Sequence, residues 1–312
     1  MTPESQTDAR LDDPLQGFEF PTELSANASA VEFVSHLFAV QLPVIAANEP
    51  IARLGIDPDG VHQLRAAARR LRCHIRHLDG MLDPSWSEVA RGELRWFGLT
   101  LGAVRDLEVM RDVLAACAAS LPATDVQFLE PLFAIARADR NRARDTMLAA
   151  LDSERHQQLR HLLADAATKP PVVVESDLDA HSLARHIAER AWRRLERDVQ
   201  SLGPSPSDPA LHHVRLRAKR ARFAAEAAVP VCGQRARKFA KAMANVQTVL
   251  GSQHDAVVAH YWVRDHAMHE DPQVAFAAGM VAGLLRNAAQ SAAREFPVIW
   301  AKAARPKLRA WM

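Results

Sequence analysis

Two stretches of this chain set basic side chains at helical spacing. Residues 61–73 read Val-His-Gln-Leu-Arg-Ala-Ala-Ala-Arg-Arg-Leu-Arg-Cys, and residues 211–223 read Leu-His-His-Val-Arg-Leu-Arg-Ala-Lys-Arg-Ala-Arg-Phe. At an offset of 150, His62 pairs with His212, Arg65 with Arg215, Arg69 with Lys219, Arg70 with Arg220 and Arg72 with Arg222. Neither stretch holds an acidic residue, although the whole chain carries a net charge of only +2. Positive charge gathered this way in a nearly neutral protein points to a site for an anion.

An α-helix turns about 100° per residue, which puts His62, Arg65, Arg69, Arg72 and Arg76 within an arc of about 80°. Leu64, Ala68, Leu71, Ile75 and Leu78 fall on another face, suited to a core. The cationic stripe covers about 21 Å at 1.5 Å per residue. The second helix repeats it through His212, Arg215, Lys219 and Arg222. There Glu226 replaces the counterpart of Arg76, so the second stripe is shorter and less positive. Arg70 and Arg220 point about 100° away from the others and rank lower.

The plain alternative is a solvated charged face. Such faces usually mix signs, because acid–base pairs at i,i+4 favour the helix. Four like charges on one face repel, and a chain that makes this arrangement twice has an anion to offset it. Guanidinium forks match phosphate oxygens, and a row about 20 Å long suits an extended polyanion. No glycine-rich phosphate loop is present, and no regular aromatics lie beside the basic residues to stack bases. A bare phosphate chain fits better than single-stranded nucleic acid.

The elements that must carry these stripes are helices. Ala, Leu and Arg dominate, with one Tyr and 12 Gly among 312 residues, so strands are disfavoured. Three cysteines, Cys73, Cys117 and Cys232, have no metal or redox spacing and fit a reducing compartment. The N-terminus lacks a secretory pattern, and the apolar run 274–285 is too short to span a bilayer, so a soluble cytoplasmic protein with no membrane role is expected. Gly279 and Gly283 in that run would permit close helix contact.

Residues 1–27 read as a mobile N-terminal tail. Periodicity predicts a helix over 28–54 kinked at Pro43, then the first basic helix opening at Asp57-Pro58 and closing at Gly80. Further helices are predicted over 85–101, from 106 to about 120, over 124–151 and over 153–167. A linker at 169–177 follows. The pattern restarts with helices over 178–201, 209–229, 233–251, 255–269, 272–294 and 297–304. Leu101-Gly-Ala-Val-Arg-Asp106 aligns with Leu250-Gly-Ser-Gln-His-Asp255 at an offset of 149. Two motifs in the same order at nearly one offset predict an all-α protein made by internal duplication. Its two homologous bundles, 28–168 and 178–305, would pack about a pseudo-twofold axis around a basic groove or pore.

The pattern His-x-x-Arg-x-x-x-(Lys/Arg)-Arg-x-Arg, twice, each followed by Leu-Gly and an Asp, resembles the CHAD family, the conserved histidine α-helical domain. The resemblance covers about residues 28–305. It implies two helical bundles with basic residues lining a central groove or pore, binding of inorganic polyphosphate and, for some members, location at polyphosphate granules. By motif position the implied binding residues are His62, Arg65, Arg69, Arg72, His212, Arg215, Lys219 and Arg222, with Arg76 added from the helical wheel. Arg105 fits the family pattern, whereas His254 stands where Arg or Asn is usual. Asp106 and Asp255 have two readings: helix caps, or carboxylates that orient a motif arginine. Some CHAD proteins carry a triphosphate-hydrolase domain with an E-x-E-x-K signature, which does not occur here.

His74/His77 and His266/His269 are i,i+3 pairs without carboxylate ligands nearby, so no metal site and no cofactor are expected. No nucleophile elbow, Cys–His pairing or carboxylate cluster supports catalysis. The reading is therefore a non-catalytic polyphosphate binder. The alternative is a nucleic-acid-binding or adaptor protein that uses the same surface. Protein partners are not legible.

Overall fold

The computed structural model describes residues 23–25, 27–173, 179–268 and 271–312. Most of the expected tail 1–27 and part of the expected linker, 174–178, lie outside the described residues. The regular elements described are all helical: α1 (Ala30–Ala39), α2 (Leu42–Leu54), α3 (Pro58–His77), α4 (Pro84–Ala118), α5 (Ala123–Val126), α6 (Glu130–Leu151), α7 (Glu154–Thr168), α8 (Ala180–Gln200), α9 (Asp208–Ala267) and α10 (Pro272–Ala303), with two short 3₁₀ turns.

The starts follow their sequence signals. Ser29 and Glu32 form a capping box on α1, the Ser29 amide donating to the Glu32 carboxylate at 2.7 Å. Asp57 accepts from the Asp59 amide at 2.8 Å ahead of first-turn Pro58, and Asp83 caps α4 in the same manner. Asp179 caps α8, and the Ala180 amide donates to the Ala28 carbonyl at 2.9 Å. Helices α1 and α8 thus begin side by side. The remaining linker residues are tied down, with the Asp83 amide donating to the Pro171 carbonyl and Val173 to that of Met81.

Several boundaries differ from the sequence reading. The chain breaks at Val40–Gln41 rather than kinking at Pro43, and Pro43 sits in the first turn of α2. Residues 30–54 pass the length and composition test for a membrane span, at a mean hydropathy of 1.6. That test does not separate a span from a core helix, and here Phe33, Val34, Leu37, Phe38, Leu42 and Ile45 are buried in the core. No helix ends at either Leu-Gly motif: α4 runs through residues 101–106 and α9 through 250–255. A glycine inside a helix costs only about 1 kcal/mol, which packing overrides. Pro297 likewise lies inside α10.

Gly233 does interrupt α9, with φ 64° and ψ −145°, a conformation essentially confined to glycine. The close helix contact that Gly279 and Gly283 would permit is not made, since no atom lies within 4 Å of where a Cβ would stand on either. The inward face of α10 is instead Val274, Ala277, Ala278, Val281, Ala282 and Leu285.

The main apolar core runs from Phe33, Leu64, Leu71 and Leu101 to Leu211, Val214, Phe239 and Leu250. A smaller cluster joins the far ends of α4 and α9 to α10. On α3, Leu64, Ala68, Leu71 and Ile75 are buried, as the wheel requires, while Arg65, Arg69 and Arg72 stay part-exposed and His62 and Arg76 exposed. Leu211, Val214, Ala218 and Ala221 anchor α9 in the same way. Burial of these stripes fixes where the basic faces must look.

Candidate anion-binding site

Helix α3 packs against α9, and their basic residues come within electrostatic reach of one another. Arg69 is pushed down to about 10, first by burial and then by the charges of Arg65 and Arg215. Burial also holds Arg215 down, with Asp255 opposing and Arg65 adding repulsion. Arg72 is lowered by burial and by Arg76 and Arg95. Lys219 is only 7 % exposed. No hydrogen bond or ion pair joins Arg69, Arg72, Arg76, Arg215 or Lys219 to any described residue. Arg69, Arg72 and Arg215 are part-buried and Lys219 buried without an ion pair, a costly arrangement that the more distant charges of Asp106 and Asp255 relieve only in part.

The Leu-Gly motifs serve the arginines. Arg65 Nη1 donates to Asp106 Oδ1 at 2.6 Å and Nη2 to Oδ2 at 3.2 Å. The same guanidinium lies over Gly102, where a Cβ would stand 3.4–3.6 Å from Nη2, Nε and Cζ. One helical turn therefore supplies a bare backbone patch and a carboxylate fork. Arg215 lies over Gly251 in the same relation, 3.7 Å to Nε. The Nε of each arginine is buried without a hydrogen-bond partner. Asp255 acts on Arg215 as a charge only; burial raises its own pKa, Arg215 lowers it and Asp106 raises it again. Both aspartates lie inside helices, which excludes the cap reading.

The histidines begin the two stripes. His62 is lowered by desolvation and by the neighbouring charge of Arg105. Arg105 itself is held by Glu108 at 3.2 Å, a buried carboxylate that Arg140 also reaches. His212 meets His254, their Nδ1 atoms 3.1 Å apart and ring centroids 4.2 Å apart. Desolvation and His212 push His254 down to about 4. The histidine at 254 thus stands to His212 as Arg105 stands to His62.

Arg222 is compensated: its Nε donates to Glu226 at 2.6 Å. Glu226 also lies 3.6 Å from Arg70, whose guanidinium covers the Phe223 ring. Arg220, ranked lower on the wheel, has no hydrogen-bonding partner and faces Arg76, Arg217 and Arg194. Arg190 and Arg194 of α8 line a cavity with Arg76, Arg217 and Arg220; their i,i+4 spacing is visible in the sequence, but nothing there places α8 beside α3.

Among the described residues no three His, Cys, Asp or Glu side chains converge on a metal-binding position. His74 and His77 are buried, and His266 stacks on Trp262.

The description "CHAD domain" belongs to the family model that matches residues 36–264. Two uncharacterized proteins of Mycobacterium tuberculosis, MT2285 and Rv2226, are each 29% identical over 223 residues, covering 68% of this chain but 40% of their own length. The chain thus matches well under half of those relatives. Among solved structures, the CHAD domain from the plant Ricinus communis superposes with a TM-score of 0.71 at 26% identity, covering 90% of this chain and 93% of that one. PptA from Streptomyces chartreusis gives 0.72 at 22% identity, over 88% and 99%.

Proposed function

The chain belongs to the CHAD family, and from that premise we propose that it binds inorganic polyphosphate through the facing basic stripes of α3 and α9, without catalysis. The observation that carries this reading is Lys219, buried without an ion pair on the face of α9 that meets α3, where Arg69, Arg72 and Arg215 also have none. An extended polyanion supplies the missing charge along the whole row. Arg65, Arg69, Arg72, Arg76, Arg215 and Lys219 clamp phosphates, His62 and His212 donate at the stripe ends, and Arg222 contributes once drawn from Glu226. Arg105, Asp106 and Asp255 position the clamp.

In this reading the stripes line a groove between two duplicated bundles, 28–168 and 178–305, about a pseudo-twofold axis. The matched pairs Arg65/Gly102 and Arg215/Gly251 support that arrangement. The place of action is the cytoplasm, at polyphosphate granules.

The test is titration with long-chain polyphosphate, short phosphates and oligonucleotides at two salt concentrations. Affinity for the polymer should fall steeply with salt, as bound counterions are released, and exceed that for DNA or RNA of equal charge. Equal binding of nucleic acid would replace this reading by the nucleic-acid alternative. Undiminished binding by Arg69→Ala/Lys219→Ala would leave only an adaptor role.

A further inference from the structure

At the far end of the α3 stripe, Arg76 meets arginines that the stripes do not include. Arg220 is lowered by burial and then by Arg76, Arg217 and Arg194. Arg190 is lowered by burial and Arg194, with Asp79 opposing. These five guanidinium groups and His77 surround a narrow cavity between α3, α8 and α9. Two of the five are fixed from behind. Arg190 donates to the His77 carbonyl, and Arg217 Nε donates to Asp198 at 2.6 Å, a carboxylate that His213 also holds. Arg76, Arg194 and Arg220 have no hydrogen-bond or ion-pair partner among the described residues. The His77 side chain is 7 % exposed, and its Nδ1 has no hydrogen-bond partner.

The sequence repeat supplies an internal control. At the 150-residue offset Arg220 answers to Arg70 and Arg76 to Glu226. The contact between Arg70 and Glu226 is an ion pair, with Phe223 covering the guanidinium. Its counterpart is Arg220 against Arg76, with Cys73 in the place of Phe223. One copy of the contact is neutralised and the other carries only positive charge.

We infer that Arg76, Arg190, Arg194, Arg217 and Arg220 form a second anion site, which takes the doubly charged phosphoryl group of a compact phosphate or of a chain end. Three unpaired guanidinium groups match three phosphoryl oxygens, and two anchored ones hold the frame. The cavity has room for about one water. That is too narrow for an extended chain to pass, so a single end group sits at its mouth.

This site shares Arg76 with the α3 stripe, while Arg190, Arg194, Arg217 and Arg220 lie outside the polyphosphate reading, so the variants tested leave Arg76 in place. The test is calorimetric titration of pyrophosphate into the full chain and two variants. Arg194→Ala/Arg220→Ala removes two unpaired groups, and its thermal melt should match the parent. We expect it to lose pyrophosphate affinity by at least about tenfold. Arg69→Ala/Lys219→Ala should change pyrophosphate affinity by less than about threefold while weakening long-chain polyphosphate. Loss of pyrophosphate binding in the second variant alone, or no binding by the parent, overturns the proposal. Saturation with long chains beforehand separates the sources: blocked pyrophosphate identifies a chain end, and undiminished binding a free compact phosphate.

Discussion

Asp106 grips Arg65 with both carboxylate oxygens, across 41 residues of sequence, while Gly102 gives the guanidinium a flat floor. The motif Leu-Gly-x-x-x-Asp is therefore a seat for an arginine of another helix. Its glycine and aspartate are four residues apart, one helical turn, which aligns them under one planar group. Arg65 keeps one free N–H on each Nη for a ligand.

Replacing Asp106 sets two effects against each other. Removing an exposed negative charge from a cationic surface strengthens anion binding a little, since such charges are screened. Releasing Arg65 costs the oriented fork, and a bidentate charged contact outweighs a screened one. We expect Asp106→Ala to weaken polyphosphate binding about three- to tenfold despite the added net positive charge. Affinities of parent and variant at one ionic strength decide it, and a tighter variant would remove the positioning role.

Lys219 gives a prediction in which stability and binding move apart. A lysine left only 7 % exposed, with no ion pair to its ammonium, is a cost to the unliganded fold. Lys219→Met keeps the apolar stem and removes the charge. The variant should melt higher by roughly 2 °C, about 1 kcal/mol, and bind polyphosphate at least about tenfold more weakly. A variant that is less stable and binds equally well would make Lys219 an ordinary core residue.

The apolar spacing on α3 and α9 was enough to orient both basic faces, because burial of one stripe leaves the opposite side no choice. The role of Asp106 stayed open in sequence, since an aspartate beside a glycine looks the same as a cap and as a mid-helix carboxylate; only the neighbouring Arg65 decides. The surroundings of Arg220 were illegible for a related reason. A helical wheel measures angle on one helix, and the relevance of Arg220 comes from Arg76 and Arg194 on two others. The outward turn of Gly279 and Gly283 was likewise illegible, because small residues suit an interface and an exposed face alike.

If the stripes bind a polyanion, the imidazoles of His212 and His254 should make that binding depend on pH. Their Nδ1 atoms share a proton position, and Arg215 and His213 add repulsion while Asp106 opposes it. Both pKa values are depressed, so the pair is neutral near pH 7 in the unliganded protein. A bound polyanion favours the charged form and raises them. The complex then holds more protons than its parts, so affinity must rise as pH falls from about 7 to about 5. Long chains keep the few titrating end phosphates from dominating. The check is the ratio of Kd at pH 7.5 and 5.5 at fixed ionic strength. His212→Asn/His254→Asn should reduce that ratio, leaving the part due to His62; an unchanged ratio would exclude the pair.

Acid should destabilise the unliganded fold through a different histidine. His74 is buried on α3, and desolvation pushes its pKa to about 3, with Arg70 and His36 adding repulsion. In the unfolded chain it returns to about 6.5. Between those values the unfolded state binds the proton and the folded state does not. Stability is therefore complete above pH 6.5 and declines as pH falls towards 3. His36 and His77 shift in the same direction and add to the slope. Denaturant midpoints at pH 7 and 4.5 should show a clear loss for the parent and a smaller one for His74→Leu, which fills similar space without a titrating group. Equal losses in both proteins would assign the acid sensitivity to other groups.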